Sequence, residues 1–252
     1  MKRTTLWSSG RASKQMLERF WEVDVLRGVG IVMVVFYHFF FDLNLFGVLP
    51  NAMYSGAWLL FQRAAASLLL FVVGVSLAIS RERRGDDREF FRHCFKRSMQ
   101  LFAVALGITA VTLVYPGRGF IAFGVLHFIA LSILLSCFFA RFKWGAFAGG
   151  VTAIVAGLAV AGMSARDNFF FWLGFHSPEF YSLDYFPVLP WFGVVLLGLF
   201  AGETFYAAGK RTYNLWLQPG TLARALSFFG RHSLFIYLVH QPIIFSVLFL
   251  AT

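Results

Sequence analysis

An apolar segment near the start of the chain carries four ionisable side chains within it or at its edges. The segment reads DVLRGVGIVMVVFYHFFFDLNL, and the four residues are Asp24, Arg27, His38 and Asp42. It is long enough to cross about 30 Å of hydrocarbon as a helix. Ionisable side chains inside a membrane cost several kcal/mol each, so they persist mainly where they line a functional cavity. This helix is therefore predicted to carry the functional site.

Composition predicts a membrane protein. Of the 252 residues, 59% are hydrophobic and 13% are charged, which is too little polar surface for a soluble domain. We predict an all-α polytopic membrane protein, a bundle of about seven transmembrane helices, with residues 168–187 re-entrant or interfacial. A basic cytoplasmic segment over 1–23 precedes a single transmembrane domain over 24–252. The apolar windows that approach the roughly 20 residues needed to span are 25–47, 56–80, 97–115, 119–140, 145–163, 188–208 and 233–250.

The Lys and Arg residues predict the orientation, because cytoplasmic loops retain positive charge. With the N-terminus inside, eighteen of the 22 basic residues fall in cytoplasmic segments, and Arg118 and Arg166 fall outside. The net charge of +10 then reflects topology and attraction to anionic lipid, and no nucleic-acid partner is expected. The basic N-terminus has no apolar core ahead of a cleavage site, so the first span is expected to remain as an anchor.

The polar residues of the first span share one helical face. Positions 24, 27, 31, 38 and 42 are separated by three, four, seven and four residues, which keeps them on one side of a helix. Eleven residues, or about 16 Å along the axis, separate Arg27 from His38. Arg27 is thus predicted near the cytoplasmic surface, and His38 beyond the middle of the membrane.

Other spans are predicted to bring polar side chains to a similar depth. Arg63 and His127 each lie about two turns into their own spans. Asp42 follows His38 by one turn and either orients its ring or pairs with Arg63. His240 with Gln241, in the run YLVHQP near the start of the last span, is a further polar insertion that is predicted nearer the cytoplasmic side, and the sequence leaves its role open.

Each of these residues also has a purely structural interpretation. His127 and His240 can be packing residues hydrogen-bonded to a backbone carbonyl. Arg63 can be a counter-ion of Asp42, since an unpaired buried charge is costly. Asp24 can be a helix-start residue that favours the helix dipole.

Taken together, the residues favour acyl transfer. A histidine can remove a proton from an attacking amine or hydroxyl, or accept the acyl group itself, while a carboxylate fixes its tautomer. Arginine binds phosphate or pyrophosphate through its planar fork of donors, and Arg27 is predicted where a cytosolic nucleotide-bearing donor would dock. The direction from Arg27 to His38 suggests a donor from inside and an acceptor outside.

Several runs resemble one known family. They are RFWEVDVLRGVGIVMVVFYHFFFDL, FVVGVSLAISR, FGVLHFIALSILL, DYFPVLPWFGVVLLGLFAG and HSLFIYLVHQPII. From Arg19 onward the chain resembles the bacterial members of the heparan-α-glucosaminide N-acetyltransferase catalytic-domain family. The Asp-x-x-Arg-Gly start with a later His is shared with the wider transmembrane acyltransferases. The runs DYFPVLPWFG and LHFIALS narrow the resemblance to this family.

The resemblance implies transfer of an acetyl group from cytosolic acetyl-CoA to an amino sugar or glycan across the membrane, here the bacterial inner membrane. It implies that His38 is the catalytic histidine, and we expect Asp42 to assist it. The remaining implied placements are Asp24 and Arg27 at the cytosolic donor end, Asp184 and Trp191 near the outer mouth, and His127 in the core.

Two other functions stay open on the sequence. One is O-acylation of an envelope polysaccharide or lipid-linked sugar. The other is small-molecule transport, which the Gly-rich fifth span would suit, although no inverted repeat is visible. Cys94 and Cys137 lie too far apart in sequence to suggest a disulfide or a zinc site, and no metal is expected. The expected partners are acetyl-CoA, the acceptor and membrane lipid, with the oligomeric state left open.

Overall fold

The computed structural model of the protein describes residues 19–49, 53, 55–115, 117, 119–214 and 218–251. Most of the predicted basic N-terminal segment, residues 1–18, lies outside the described residues. The described part of the chain holds eight α-helices. Their bounds are α1 Trp21–Leu45, α2 Gly56–Arg84, α3 Asp87–Val114, α4 Val125–Phe139, α5 Lys143–Val160, α6 Val188–Phe205, α7 Thr221–Arg231 and α8 Ser233–Ala251.

Six helices in the described residues are long and apolar enough to cross a membrane. They are α1, α2, α3, α5, α6 and α8, and α4 is a shorter apolar helix of 15 residues. These seven helices follow the seven predicted windows in order, so the prediction of an all-α polytopic bundle is confirmed. The protein is a multi-pass integral membrane protein.

Two regions refine the predicted architecture. Residues 168–187, predicted to be re-entrant or interfacial, contain a short 3₁₀ turn over Phe171–Leu173 and otherwise irregular backbone. The amphipathic helix α7 has no predicted counterpart, because its eleven residues are too few and too polar to register as a span. Loop residues before α8 therefore hold an additional packed helix.

The chain groups into two compact units. The first comes from Met1–Val72 and Asn214–Thr252, and the second is Val73–Tyr213. The single domain expected over 24–252 stays a prediction. The candidate residues His38, Asp42 and His240 belong to the first unit, whereas His127 and Asp184 belong to the second.

In the first unit, α1 packs against both α7 and α8. The crossing with α7 is close enough to need glycine on both helices. A Cβ at Gly28 would overlap the Leu226 carbonyl oxygen, and a Cβ at Gly230 would overlap that of Asp24. Small residues permit such approach between membrane helices. Helix α7 therefore braces the start of α1, where Asp24 and Arg27 lie.

In the second unit, α3 packs on α4 and α5 packs on α6. The Ser98 hydroxyl donates a 2.7 Å hydrogen bond to the Ala130 carbonyl oxygen, which joins α3 to α4. A Cβ at Gly150 would lie 3.1 Å from the Gly193 carbonyl oxygen. The glycines of the fifth span therefore serve close packing of α5 on α6.

Candidate active site

His38 on α1 faces His240 on α8. The Nε2 atom of His240 lies 3.2 Å from the Nδ1 atom of His38. The two ring centroids are 4.9 Å apart, and the ring planes are inclined by 62°. The prediction left the role of His240 open, and the structure places it directly against the histidine expected to be catalytic.

The hydrogen-bond partners assign the protons of this pair. His240 Nδ1 lies 2.7 Å from the Tyr237 carbonyl oxygen and 3.2 Å from that of Ile236. Both are acceptors, so Nδ1 carries the proton of the neutral ring and Nε2 is an acceptor. The His38 Nδ1–H then points toward that Nε2 atom and toward the Val34 carbonyl oxygen, at 3.0 Å. Neutral His38 therefore keeps the lone pair on its own Nε2 atom.

Asp42 and Gln241 form a second contact between α1 and α8. The Gln241 Nε2 atom donates to both carboxylate oxygens, at 2.9 and 3.1 Å. The Asp42 side chain has no exposed surface. Within the described residues no cation pairs with it, and the Gln241 Oε1 atom is buried without a hydrogen-bond partner. One side-chain amide thus supports a fully buried carboxyl group.

The spacing of these residues explains why the two contacts occur together. His38 and Asp42 lie one helical turn apart on α1, and their partners are consecutive in α8. Because each contact fixes the rotation of α8 about its own axis, forming one favours the other. His240 and Gln241 therefore meet His38 and Asp42 from adjacent positions of α8.

Both partners predicted for Asp42 need correction. The structure forms no hydrogen bond from Asp42 to His38 among the described residues, and Arg63 is exposed with no ion pair to Asp42. A long arginine can reach polar surroundings from a helix face. The donor to Asp42 is Gln241, 199 residues away in sequence.

Arg27 and Asp24 form an ion pair toward the start of α1. The Arg27 Nη1 atom donates to Asp24 Oδ1 over 3.0 Å, and the two side chains are 28% and 14% exposed. By helical rise Arg27 lies about 16 Å along the axis from His38, and Asp24 about 21 Å. The arginine is thus held by a local carboxylate, beside the Gly28 crossing with α7, and remains partly accessible.

His127 lies in a separate network within the second unit. Its Nδ1 atom accepts from the Gly124 backbone N–H at 3.3 Å, and its Nε2 atom lies 3.3 Å from the Thr109 hydroxyl. That hydroxyl donates to the Ile121 carbonyl oxygen at 2.6 Å. Both ring nitrogens are therefore engaged at the start of α4, by a backbone N–H and a hydroxyl instead of the backbone carbonyl that the structural interpretation expects.

Asp184 supports the same end of α4. Its Oδ2 atom accepts from the Val125 backbone N–H at 2.9 Å, an arrangement that the helix dipole favours. Burial raises the pKa of the Asp184 carboxyl to about 6, against the opposing effect of that hydrogen bond. Burial likewise raises the pKa of the adjacent Tyr185 to about 12. Trp191 packs on Phe186, with ring centroids 5.0 Å apart.

The arrangement in the first unit has the chemistry of a candidate general base. In the described part of the chain no group of three His, Cys, Asp or Glu side chains comes together as a metal site would need. A half-buried, oriented imidazole with a free Nε2 lone pair suits proton transfer or acyl acceptance. Together with the membrane helices, this pair defines a polytopic membrane protein with an intramembrane histidine centre.

The comparison with protein families then names the family. The model of the heparan-alpha-glucosaminide N-acetyltransferase catalytic domain matches residues 19–242. The chain therefore belongs to this family of membrane acetyltransferases, and the predicted resemblance is confirmed. The matched range contains all of α1 and α8 as far as Pro242, and so includes both His38 and His240. The searches for similar curated proteins and for similar solved structures found no significant match.

Proposed function

We propose that the protein transfers an acetyl group from cytosolic acetyl-CoA to an amino sugar or glycan on the other side of the membrane, with His38 as base or acyl carrier. The observation that carries this proposal is the paired His38 and His240, whose hydrogen bonds leave the His38 Nε2 atom as the available lone pair. Family membership supports the acetyl-transfer part.

In direct transfer, His38 Nε2 removes the proton from the acceptor amine or hydroxyl. The acceptor nitrogen or oxygen forms the bond to the acetyl carbon, and the C–S bond of the thioester breaks. The proton on Nε2 then passes to the departing thiolate, which returns His38 to its neutral form. In the alternative route, Nε2 itself forms the bond to the acetyl carbon as the thioester C–S bond breaks and the thiolate leaves. The acceptor then attacks the acetyl carbon, the Nε2–carbon bond breaks, and the acceptor proton passes to the thiolate.

His240 and Asp42 serve the charge that develops on His38. Protonation at Nε2 makes the ring cationic, and its Nδ1–H then donates more strongly to His240 Nε2. Asp42, one turn away, supplies a carboxyl group that stabilises positive charge nearby without a direct hydrogen bond. Arg27 is proposed to hold a phosphate of acetyl-CoA at the cytosolic end.

The test uses purified protein reconstituted in vesicles. Radiolabelled acetyl-CoA is supplied on one side of the vesicle membrane, and amino sugars and glycans are supplied on the opposite side. His38→Ala is expected to lower transfer by about 10²–10⁴-fold, the usual contribution of a general base, while acetyl-CoA binding persists. His93→Ala, at an exposed histidine of α3, is the matched control and should be active.

Other outcomes would change the role of His38, the product or the class of function. Full activity in His38→Ala removes that residue from the mechanism. Product analysis separates N- from O-acetylation. A well-folded protein that does not bind acetyl-CoA would contradict the acetyltransferase proposal and favour transport.

A further inference from the structure

A groove of about 700 Å³ opens in the second unit, where α2 ends, α3 begins and α4 ends. Its walls combine arginine with phenylalanine, and none of its lining residues belongs to the proposed catalytic set. The arginines are Arg81, Arg88, Arg92 and Arg141, and five phenylalanines complete most of the wall.

The groove carries a net positive charge. Its acidic lining residue is Asp87, whose carboxylate lies 2.7 Å from Arg141 and 3.5 Å from Arg81. Arg88 and Arg92 are exposed, and no ion pair involves either of them within the described residues. Two guanidinium groups are thus left to bind an external anion.

Positive and apolar side chains alternate along one face of α3. Arg88, Phe91, Arg92 and Phe95 recur at intervals of three, one and three residues, which places them on one helical face. From Arg88 to Phe95 the helix rises about 10 Å. This face lies at the helix end that the charge distribution predicts to be cytoplasmic, and Phe95 is its residue nearest to the span predicted to begin at residue 97.

The opposite wall repeats this pattern at the end of α4. Phe138 is 70% exposed and precedes Arg141, which is exposed at the helix end. On α3, Phe91 and Phe95 are 48% and 49% exposed. Large apolar side chains with this exposure, at the end of a membrane-crossing helix, are suited to contact lipid. The groove therefore offers arginine and exposed phenylalanine together at the predicted cytoplasmic boundary of the membrane.

We propose that this groove binds an anionic phospholipid of the surrounding membrane. Its phosphate lies between Arg88 and Arg92, and an acyl chain follows Phe91 and Phe95. Arginine holds phosphate through its fork of donors, and the exposed phenylalanines match a chain rather than a soluble anion. A zwitterionic lipid would leave the positive charge of the groove unneutralised.

The experiment measures lipid binding to the detergent-solubilised full chain by native mass spectrometry. Phosphatidylglycerol and phosphatidylcholine with the same acyl chains are the probes. The test variant is Arg88→Gln/Arg92→Gln. The matched control is Lys96→Gln/Arg97→Gln, which removes the same charge from exposed positions of the same helix outside the groove lining.

We expect phosphatidylglycerol to bind more tightly than phosphatidylcholine. The test variant should lose about fivefold in affinity for each arginine removed, since a basic residue near an anionic surface contributes about that factor. The control pair should keep the wild-type preference. Equal binding of both lipids, or an equal loss in the control pair, overturns the proposal.

Two competitors distinguish the source of the phosphate. Displacement of phosphatidylglycerol by millimolar inorganic phosphate would assign the groove to a soluble anion and overturn the lipid assignment. Displacement by coenzyme A would assign it to the acyl donor instead. Persistence of lipid binding against both supports the proposal, whatever the result of the His38 experiment.

Discussion

Replacing Gln241 by methionine leaves the Asp42 carboxyl group buried without its donor. The amide now donates to both carboxylate oxygens, at 2.9 and 3.1 Å, and Asp42 has no exposed surface. A hydrogen bond to a charged group contributes about 1.5–3 kcal/mol. Methionine also removes the buried, unpartnered Gln241 Oε1 atom, which returns roughly 1 kcal/mol. We therefore expect Gln241→Met to lower the free energy of unfolding by about 0.5–2 kcal/mol.

The substitution of Asp42 provides the second single variant of a double-mutant cycle with Gln241→Met. Asp42→Leu leaves the Gln241 amide buried with both of its polar atoms unpaired, at a similar cost of about 1–3 kcal/mol. Replacing both residues removes every polar atom of the contact, and such paired apolar replacements are close to neutral. The double variant should therefore be more stable than either single variant, with a coupling energy close to the sum of the two single costs, about 1.5–5 kcal/mol.

Thermal unfolding in detergent, followed by tryptophan fluorescence, measures these differences. At about 2–4 °C per kcal/mol for a chain of this size, Gln241→Met should lower the Tm by several degrees and the double variant should recover most of it. If the two single effects simply add in the double variant, the Asp42–Gln241 contact does not exist as the structure shows it.

Four further outcomes follow from the geometry. His240→Ala should lower turnover about tenfold and shift its pH profile, because the His38 Nδ1–H keeps one acceptor of two. Arg27→Ala should raise the apparent constant for acetyl-CoA with little change in turnover. Gly28→Ala should cost about 3 kcal/mol or more, since its Cβ meets rigid backbone of α7. The pKa of Asp184 is about 6 in the folded protein and lower in the unfolded chain, so protonation of this carboxyl group stabilises the fold. The Tm should therefore fall from pH 5 to pH 7, and should fall less in Asp184→Asn.

Each outcome has its own check. An unshifted pH profile in His240→Ala would leave that residue a packing role. An unchanged constant in Arg27→Ala would remove it from the donor site. Gly107→Ala, in α3 with nothing within 4 Å of the added Cβ, should be neutral, and an equal loss there would contradict the crossing argument. A pH dependence unchanged by Asp184→Asn would show that other groups cause it.

The membrane helices were predictable because their signal is local. A run of about 20 apolar residues must span as a helix, since hydrocarbon offers no partner for backbone polar groups. The seven windows therefore match α1 to α6 and α8. Helix α7 was missed because a short amphipathic helix resembles a polar loop by hydropathy. Its small buried residues Ser227 and Gly230 form the face that packs on α1.

The site was predictable in part for the same reason. Helical periodicity placed Asp24, Arg27, His38 and Asp42 on one face of α1 from the sequence alone. The ion pair of Arg27 with Asp24 depends on residues three apart, within reach of that periodicity. Gly28 stands in the same motif, yet its role appears only with α7 in place.

What the sequence by itself determined is the membrane class, the order of the spans, the family and the polar face of α1. What only the tertiary structure decided is which side chains meet that face. His240 and Gln241 reach His38 and Asp42 across 202 and 199 residues, and Arg63 does not. Local spacing fixes the direction of a side chain from its own helix, but the partner depends on how two helices pack, which is set by contacts along their whole length.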